Sequence, residues 1–205
     1  MQGVTADAAP APTDPDEPDE PGRPTAGDPA PAYAPATPDA KDWTWVLRER
    51  CPECGFAGTD VAGPQVAGTI HDLVPRWRAA LGRIDVRDRP DPAVWSPLEY
   101  GAHVRDVHRV FDERLRLMLE EDGPQFPNWD QDATAVEDRY DLQDPGRVAD
   151  ELADAAAALA ARFQTVRADQ WERTGLRSNG SAFTVTTLGQ YFLHDVVHHL
   201  HDVGA

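Results

Sequence analysis

An all-α fold is what this sequence predicts, a four-helix bundle behind a disordered acidic, Pro/Ala-rich N-terminal tail, and three observations predict it. Four segments carry apolar residues at the three-to-four-residue spacing of a helix face. Two of them open on strong start signals, Ser96-Pro97-Leu98-Glu99 and Asp144-Pro145. Alternating apolar residues occur only from Ala182 to Val185, too short a stretch to build a sheet.

Residues 1–42 form the tail. Ten of the nineteen prolines fall within the first forty residues, among Ala, Asp, Glu, Thr and Gly, with almost nothing large and apolar to bury. Such a segment cannot offset its ordering entropy and is expected to be disordered. Residues 43–61 are a lead-in holding Cys51 and Cys54, and residues 62–205 are the bundle domain. The first helix spans about 65–81, with Val66, Ile70, Leu73, Val74, Trp77 and Leu81 on one face. Pro75 inside it predicts a kink or an interruption.

The second helix starts at the Ser96 cap, buries Val104, Val107, Phe111, Leu115 and Met118, and runs to about Glu121 before Gly123-Pro124 ends it. The third opens at Asp144-Pro145 and continues through the alanine-rich stretch to Phe163, where alanine favours the helix and permits close packing. The fourth begins near Thr184 and ends among histidines. Between the second and third, residues 122–144 read as a long loop, a length that is usually functional or disordered. Phe126 and Trp129 favour a packed one, with Trp129 a candidate pocket residue; the other tryptophans read as core and loop anchors.

The chain has 205 residues, enough for one domain with a core, and a net charge of −17, of which the tail carries −7. That sign argues against nucleic acid or an anionic membrane as partner, since phosphate contacts need clustered Lys and Arg. No run approaches a spanning helix and no secretory signal is visible, so a soluble, cytoplasmic protein is expected.

Four of the seven histidines lie in the run His194-Asp-Val-Val-His198-His199-Leu-His201. His194 and His198 are four apart, so on a helix their rings stand one turn above each other and suit one divalent ion. Thr187, Tyr191, His194, His198 and His201 share an arc opposite Leu188, Phe192, Val196, Leu200 and Val203, so the histidine side should face water or a polar cleft. The spacing alone fits equally a solvated helix end whose imidazoles complement the dipole. On the second helix, His103 and His108 flank the buried stripe, and Gly101 and Ala102 would leave room beside His103.

Read together, Leu98-Glu-Tyr-Gly-Ala-His103-Val-Arg-Asp106 and His194-Asp-Val-Val-His198-His-Leu resemble the DinB-like superfamily, the DinB/YfiT-like metalloenzymes. The resemblance covers about residues 62–203. It implies a four-helix bundle and a divalent ion, zinc or nickel foremost, held by His103, His194 and His198, with His199 and His201 outside the ligand set. Three imidazoles leave coordination positions open, as in catalytic sites. Asp106 and Asp195 are candidates to orient the imidazoles.

Related superfamily members, mycothiol-dependent maleylpyruvate isomerase and bacillithiol S-transferases, imply a low-molecular-weight thiol such as mycothiol as cosubstrate. The implied function is a divalent-metal-dependent S-transferase or isomerase acting on a small-molecule substrate, with a homodimer allowed for. The isomerase pattern includes a glutamate ligand that an H-x-x-x-H pair lacks, so its particular reaction does not transfer. The alternative is a non-catalytic metal-binding or stress-response bundle acting as an interaction module.

Cys51-Pro-Glu-Cys54-Gly resembles half of a zinc ribbon whose second half is missing. It reads as a structural or incidental pair, a metal site completed by His71 or another chain, or a redox pair; Glu53 and the lack of a βαβ pattern count against redox.

Overall fold

The computed structural model describes residues 32–38 and 41–205; the rest of the expected tail lies outside the described residues. The helices are α1 (Val66–Leu81), α2 (Pro97–Glu120), α3 (Gln131–Glu137), α4 (Pro145–Gln164) and α5 (Val185–Asp202), with short strands β1 (Gln125–Phe126), β2 (Thr174–Arg177) and β3 (Ala182–Thr184). Four of these helices, α1, α2, α4 and α5, make the expected bundle.

Three of the four long helices, α2, α4 and α5, start where a side chain satisfies their free amides. At α2 the Ser96 hydroxyl accepts from the Glu99 amide at 3.3 Å while the Glu99 carboxylate accepts from the Ser96 amide at 2.9 Å. At α4 the Asp144 carboxylate accepts from the Arg147 amide at 2.8 Å. Thr184 and Thr187 cap α5 reciprocally, at 2.8 and 3.1 Å.

The helix α1 passes through Pro75 without interruption. Both Pro75 and His71, whose carbonyl loses its donor there, are exposed, so water can take up that carbonyl.

Helix α4 packs between α1 and α2, and α5 contacts the same two helices. Trp77, Leu98, Leu115, Leu152, Leu159, Leu188, Phe192 and Leu200 fill the fully buried centre. Gly101 serves this packing: a Cβ there would lie 2.6 Å from Leu81 Cδ2. Its small size therefore lets α1 and α2 approach and does not make room beside His103.

Two features differ from expectation. The stretch 122–144 contains β1 and α3, and β1 pairs parallel to β2 while β2 pairs antiparallel to β3, with Gly175 opposite Phe183. The small sheet escapes a periodicity search because its strands are only two to four residues long and β1 finds its partner some fifty residues away. Residues 33–38, placed in the tail by composition, lie against the fold. The Tyr33 hydroxyl donates to Glu99 at 3.1 Å, Arg89 donates to the Ala34 carbonyl at 2.7 Å, and the Thr37 amide donates to Ala93.

The lead-in contacts α5 through the turns at Trp43–Leu47 and Gly58–Asp60. Gln190 on α5 donates to the Val61 carbonyl at 2.9 Å. This contact decides the environment of the histidines. Among the described residues, no helix is long and apolar enough to cross a membrane.

Candidate metal centre

His103 is completely buried on α2, and neither of its ring nitrogens has a hydrogen-bond partner. Its Nε2 lies 3.5 Å from Asp195 Oδ1, which is also inaccessible and makes no hydrogen bond. From the next turn of α5, His199 brings Nε2 to 3.7 Å from the same oxygen. One potential ligand atom from each of these residues lies within 4.8 Å of the others.

Ligand bonds of about 2.1 Å in a tetrahedral arrangement separate neighbouring ligands by about 3.4 Å. The observed spacings therefore suit one ion between the three groups. Buried imidazole and carboxylate atoms without partners are costly, and a divalent cation would satisfy one nitrogen of His103 and the Asp195 oxygen. The residues present fit such an ion.

The surroundings fix these ligands. His199 Nδ1 contacts the Asp202 carboxylate at 2.8 Å, which turns Nε2 toward Asp195, the orienting arrangement found behind metal-bound imidazoles. Trp129 stacks on His103 with ring centroids 5.4 Å apart and planes within 3°, and its Nε1–H donates to Thr134 at 2.8 Å. Trp95 packs against His103 from another direction at 5.3 Å.

Burial pushes His103 below the ordinary imidazole pKa, which favours the neutral form that ligates metals. Burial alone would raise the Asp195 carboxyl, but the facing His103 and His199 rings outweigh it and hold it at about 2.

The sequence-predicted ligands divide between two places. His194 and His198 do not join His103; they converge with Cys51 and Cys54, again with ligand atoms within 4.8 Å of one another. The helix explains the division. Residues 194 and 198 form one i,i+4 pair, residues 195 and 199 a second rotated by about 100°, and it is the second that faces α2.

The lead-in roofs the first pair, leaving His194 4% and His198 6% exposed. The arc nonetheless meets a polar cleft as periodicity predicts, since Tyr191, His194 and His198 line one together with Asp195 and His199. Burial, followed by the neighbouring His198, pushes His194 down to about 4.

Other candidates settle elsewhere. Asp106 binds Arg105, Arg109 and Tyr140, the last at 2.6 Å. His108 contacts the Val104 carbonyl at 2.7 Å and packs on Phe192. His71 and His201 are exposed and belong to neither cluster. Asp195, read from the sequence as orienting the imidazoles, and His199, read as outside the ligand set, are the groups that gather around His103; the signal available was that Asp195-x-x-x-His199 has the same spacing as His194-x-x-x-His198.

Asp195 and His199 open on a cleft of about 880 Å³ that Trp95, Tyr100, Trp129 and Arg177 also line. Arg177 is held by Asn179 at 2.9 Å and Ser181 at 3.1 Å. Its guanidinium carbon stands 5.7 Å from the Tyr191 ring.

Residues 76–203 match the DinB superfamily. The chain belongs to it. Two solved structures show the same superfamily fold. YfiT from Bacillus subtilis, described as a probable metal-dependent hydrolase with an unusual four-helix bundle topology, aligns at TM-score 0.61 and 18% identity, over 69% of this chain and 85% of its own. A mycothiol-dependent maleylpyruvate isomerase aligns at TM-score 0.58 and 14% identity, over 72% of this chain and 63% of its own. No curated protein matches the chain by sequence.

Proposed function

We propose that this DinB superfamily chain is a divalent-metal-dependent enzyme that transfers or isomerises small electrophiles with a low-molecular-weight thiol such as mycothiol. The ion, zinc or nickel foremost, is held by His103, Asp195 and His199. The observation that carries the reading is the convergence of three ligand groups, two of which, Asp195 and His199, line a cleft large enough for a small molecule while His103 is buried behind them. Three protein ligands leave positions open toward that cleft, and this separates a catalytic from a sealed structural centre. The carboxylate that an H-x-x-x-H pair lacks is supplied by Asp195, so the ligand set now contains one, as the isomerase pattern does.

When bound, the ion supplies Lewis acidity that lowers the pKa of a thiol or water entering the open position. The chain's own residues do the rest. Asp202 holds His199 in the ligating orientation. Trp129 and Trp95 cover the His103 ring and keep bulk water from it. Arg177, braced by Asn179 and Ser181, presents a positive charge in the cleft for a carboxylate on thiol or substrate. Burial raises the Tyr191 phenol, so it stays protonated beside Arg177 as a hydrogen-bond donor.

The test is metal analysis of protein purified without a chelating tag, combined with thiol consumption against a panel of electrophiles. The expected result is metal-dependent consumption that His103→Ala abolishes together with one bound ion. Unchanged metal content in His103→Ala, or a metal-loaded protein that consumes no thiol with any electrophile, would overturn the reading.

A further inference from the structure

The geometry points to a second, structural zinc site of the Cys2His2 type, formed by Cys51, Cys54, His194 and His198, that clamps the lead-in onto α5. Two independent placements build it. The turn Cys51-Pro-Glu-Cys54-Gly55 is closed by the Gly55 amide donating to the Cys51 carbonyl at 2.9 Å and the Cys51 amide donating to the Phe56 carbonyl at 2.8 Å. Gly55 supplies the left-handed φ of +74° with which the chain leaves this turn. On α5, the four-residue spacing stacks the His194 and His198 rings with centroids 5.1 Å apart. The zinc-ribbon half seen in the sequence is thus completed by a helix of the same chain.

Distances and chemistry agree with zinc. Cys51 Sγ lies 3.7 Å from His198 Nδ1, where zinc bonds of about 2.3 Å to sulfur and about 2.1 Å to nitrogen give a tetrahedral edge of about 3.6 Å. His194 Nε2 is buried and has no hydrogen-bond partner. The far side of His198 is already oriented, with Nε2 3.5 Å from Glu53 and 3.8 Å from Asp202. Trp43 covers both imidazoles, at 5.3 Å from His194 and 4.8 Å from His198, and Phe56 lies 6.1 Å from His194.

Four protein ligands complete a tetrahedron and leave no position for substrate, which makes this a structural centre. Binding is balanced as displacement of two thiol protons to solvent, giving two thiolates that neutralise Zn2+. The clamp also fixes the rotation of α5 and thereby aims Asp195 and His199 at His103; this last consequence, unlike the site itself, rests on the function proposed above.

The test uses the full chain, purified without a chelating tag and under reducing conditions, with zinc counted per chain and cobalt(II) substituted for spectroscopy. Wild type should carry a thiolate-to-cobalt charge-transfer band in the near ultraviolet. Cys51→Ser with Cys54→Ser should lose that band and one zinc per chain, and should melt at a lower temperature. His103→Ala should keep the band. Absence of the band in cobalt-loaded wild type overturns the proposal without any variant having to fold. So does full zinc retention by the double variant. Loss of activity in His103→Ala with the band intact tests only the reading of the other centre.

Discussion

His198 and His199 are neighbours in the chain yet turn to different clusters: His198 Nδ1 faces Cys51 Sγ at 3.7 Å, while His199 Nε2 faces Asp195 Oδ1 at 3.7 Å. Their rings cross at 74° with centroids 5.9 Å apart. Substituting one is therefore a different experiment from substituting the other.

His199→Ala should remove the ion bound with His103 and Asp195 and reduce thiol-dependent turnover by at least a hundredfold, with little change in melting temperature. His198→Ala should instead lower the melting temperature, since the buried Cys51 thiol loses its partner. Metal counting and thermal unfolding of the two variants side by side check the contrast. Identical profiles would contradict it.

Trp129→Ala removes the ring stacked on His103. Trp129 is only half-buried, so the cost should be about 1–2 kcal/mol, nearer an aromatic pair than a core deletion. Turnover should fall more than this small destabilisation explains, because water gains access to His103. Steady-state kinetics at a temperature where the variant stays folded separate the two effects.

Asp106, one turn beyond His103 on α2, gives a pH-dependent prediction. Burial works to raise its carboxyl, but the Arg105 and Tyr140 hydrogen bonds and the Arg105 and Arg109 charges outweigh it and leave it below the usual range. A folded-state pKa below the unfolded one contributes stability above the unfolded value, near 4, and loses it as pH falls through the folded value. Asp106→Asn should cost roughly 3 kcal/mol near neutrality by leaving Arg105 less well paired. Urea unfolding across pH should show the gap to wild type shrinking below about pH 4; a gap that widens in acid would refute the assignment.

Gly101→Ala should destabilise by about 1–3 kcal/mol, since the new Cβ meets Leu81 Cδ2 at 2.6 Å inside a packed core. Denaturant midpoints of Gly101→Ala, Leu81→Ala and the double variant should be non-additive, with the second change relieving part of the first.

The long helices were legible because their signals are local. Ser96-Pro97, Asp144-Pro145 and Thr184 cap where the sequence places them, and the apolar stripes from Val104 to Met118 and Leu188 to Leu200 are buried as their spacing predicts. His103 was legible as a ligand candidate for the same reason, lying at the edge of a stripe. What was not legible depends on distant packing. Two overlapping i,i+4 pairs share α5, and periodicity cannot say which faces His103. Only the position of the lead-in shows that His194 and His198 meet the cysteines. The pairing of β1 with β2 is equally non-local.

Placing both clusters on one helix narrows how this chain can change. A single-residue insertion in α5 before Leu193 would present His194 and His198 where Asp195 and His199 now stand and put Leu193 and Val197 beside the cysteines. A deletion there would put Val196 and Leu200 beside His103, so one cluster would always lose its donors. Neither centre can drift in register by itself, so the last turns of α5 tolerate replacement of side chains far better than any change in their number.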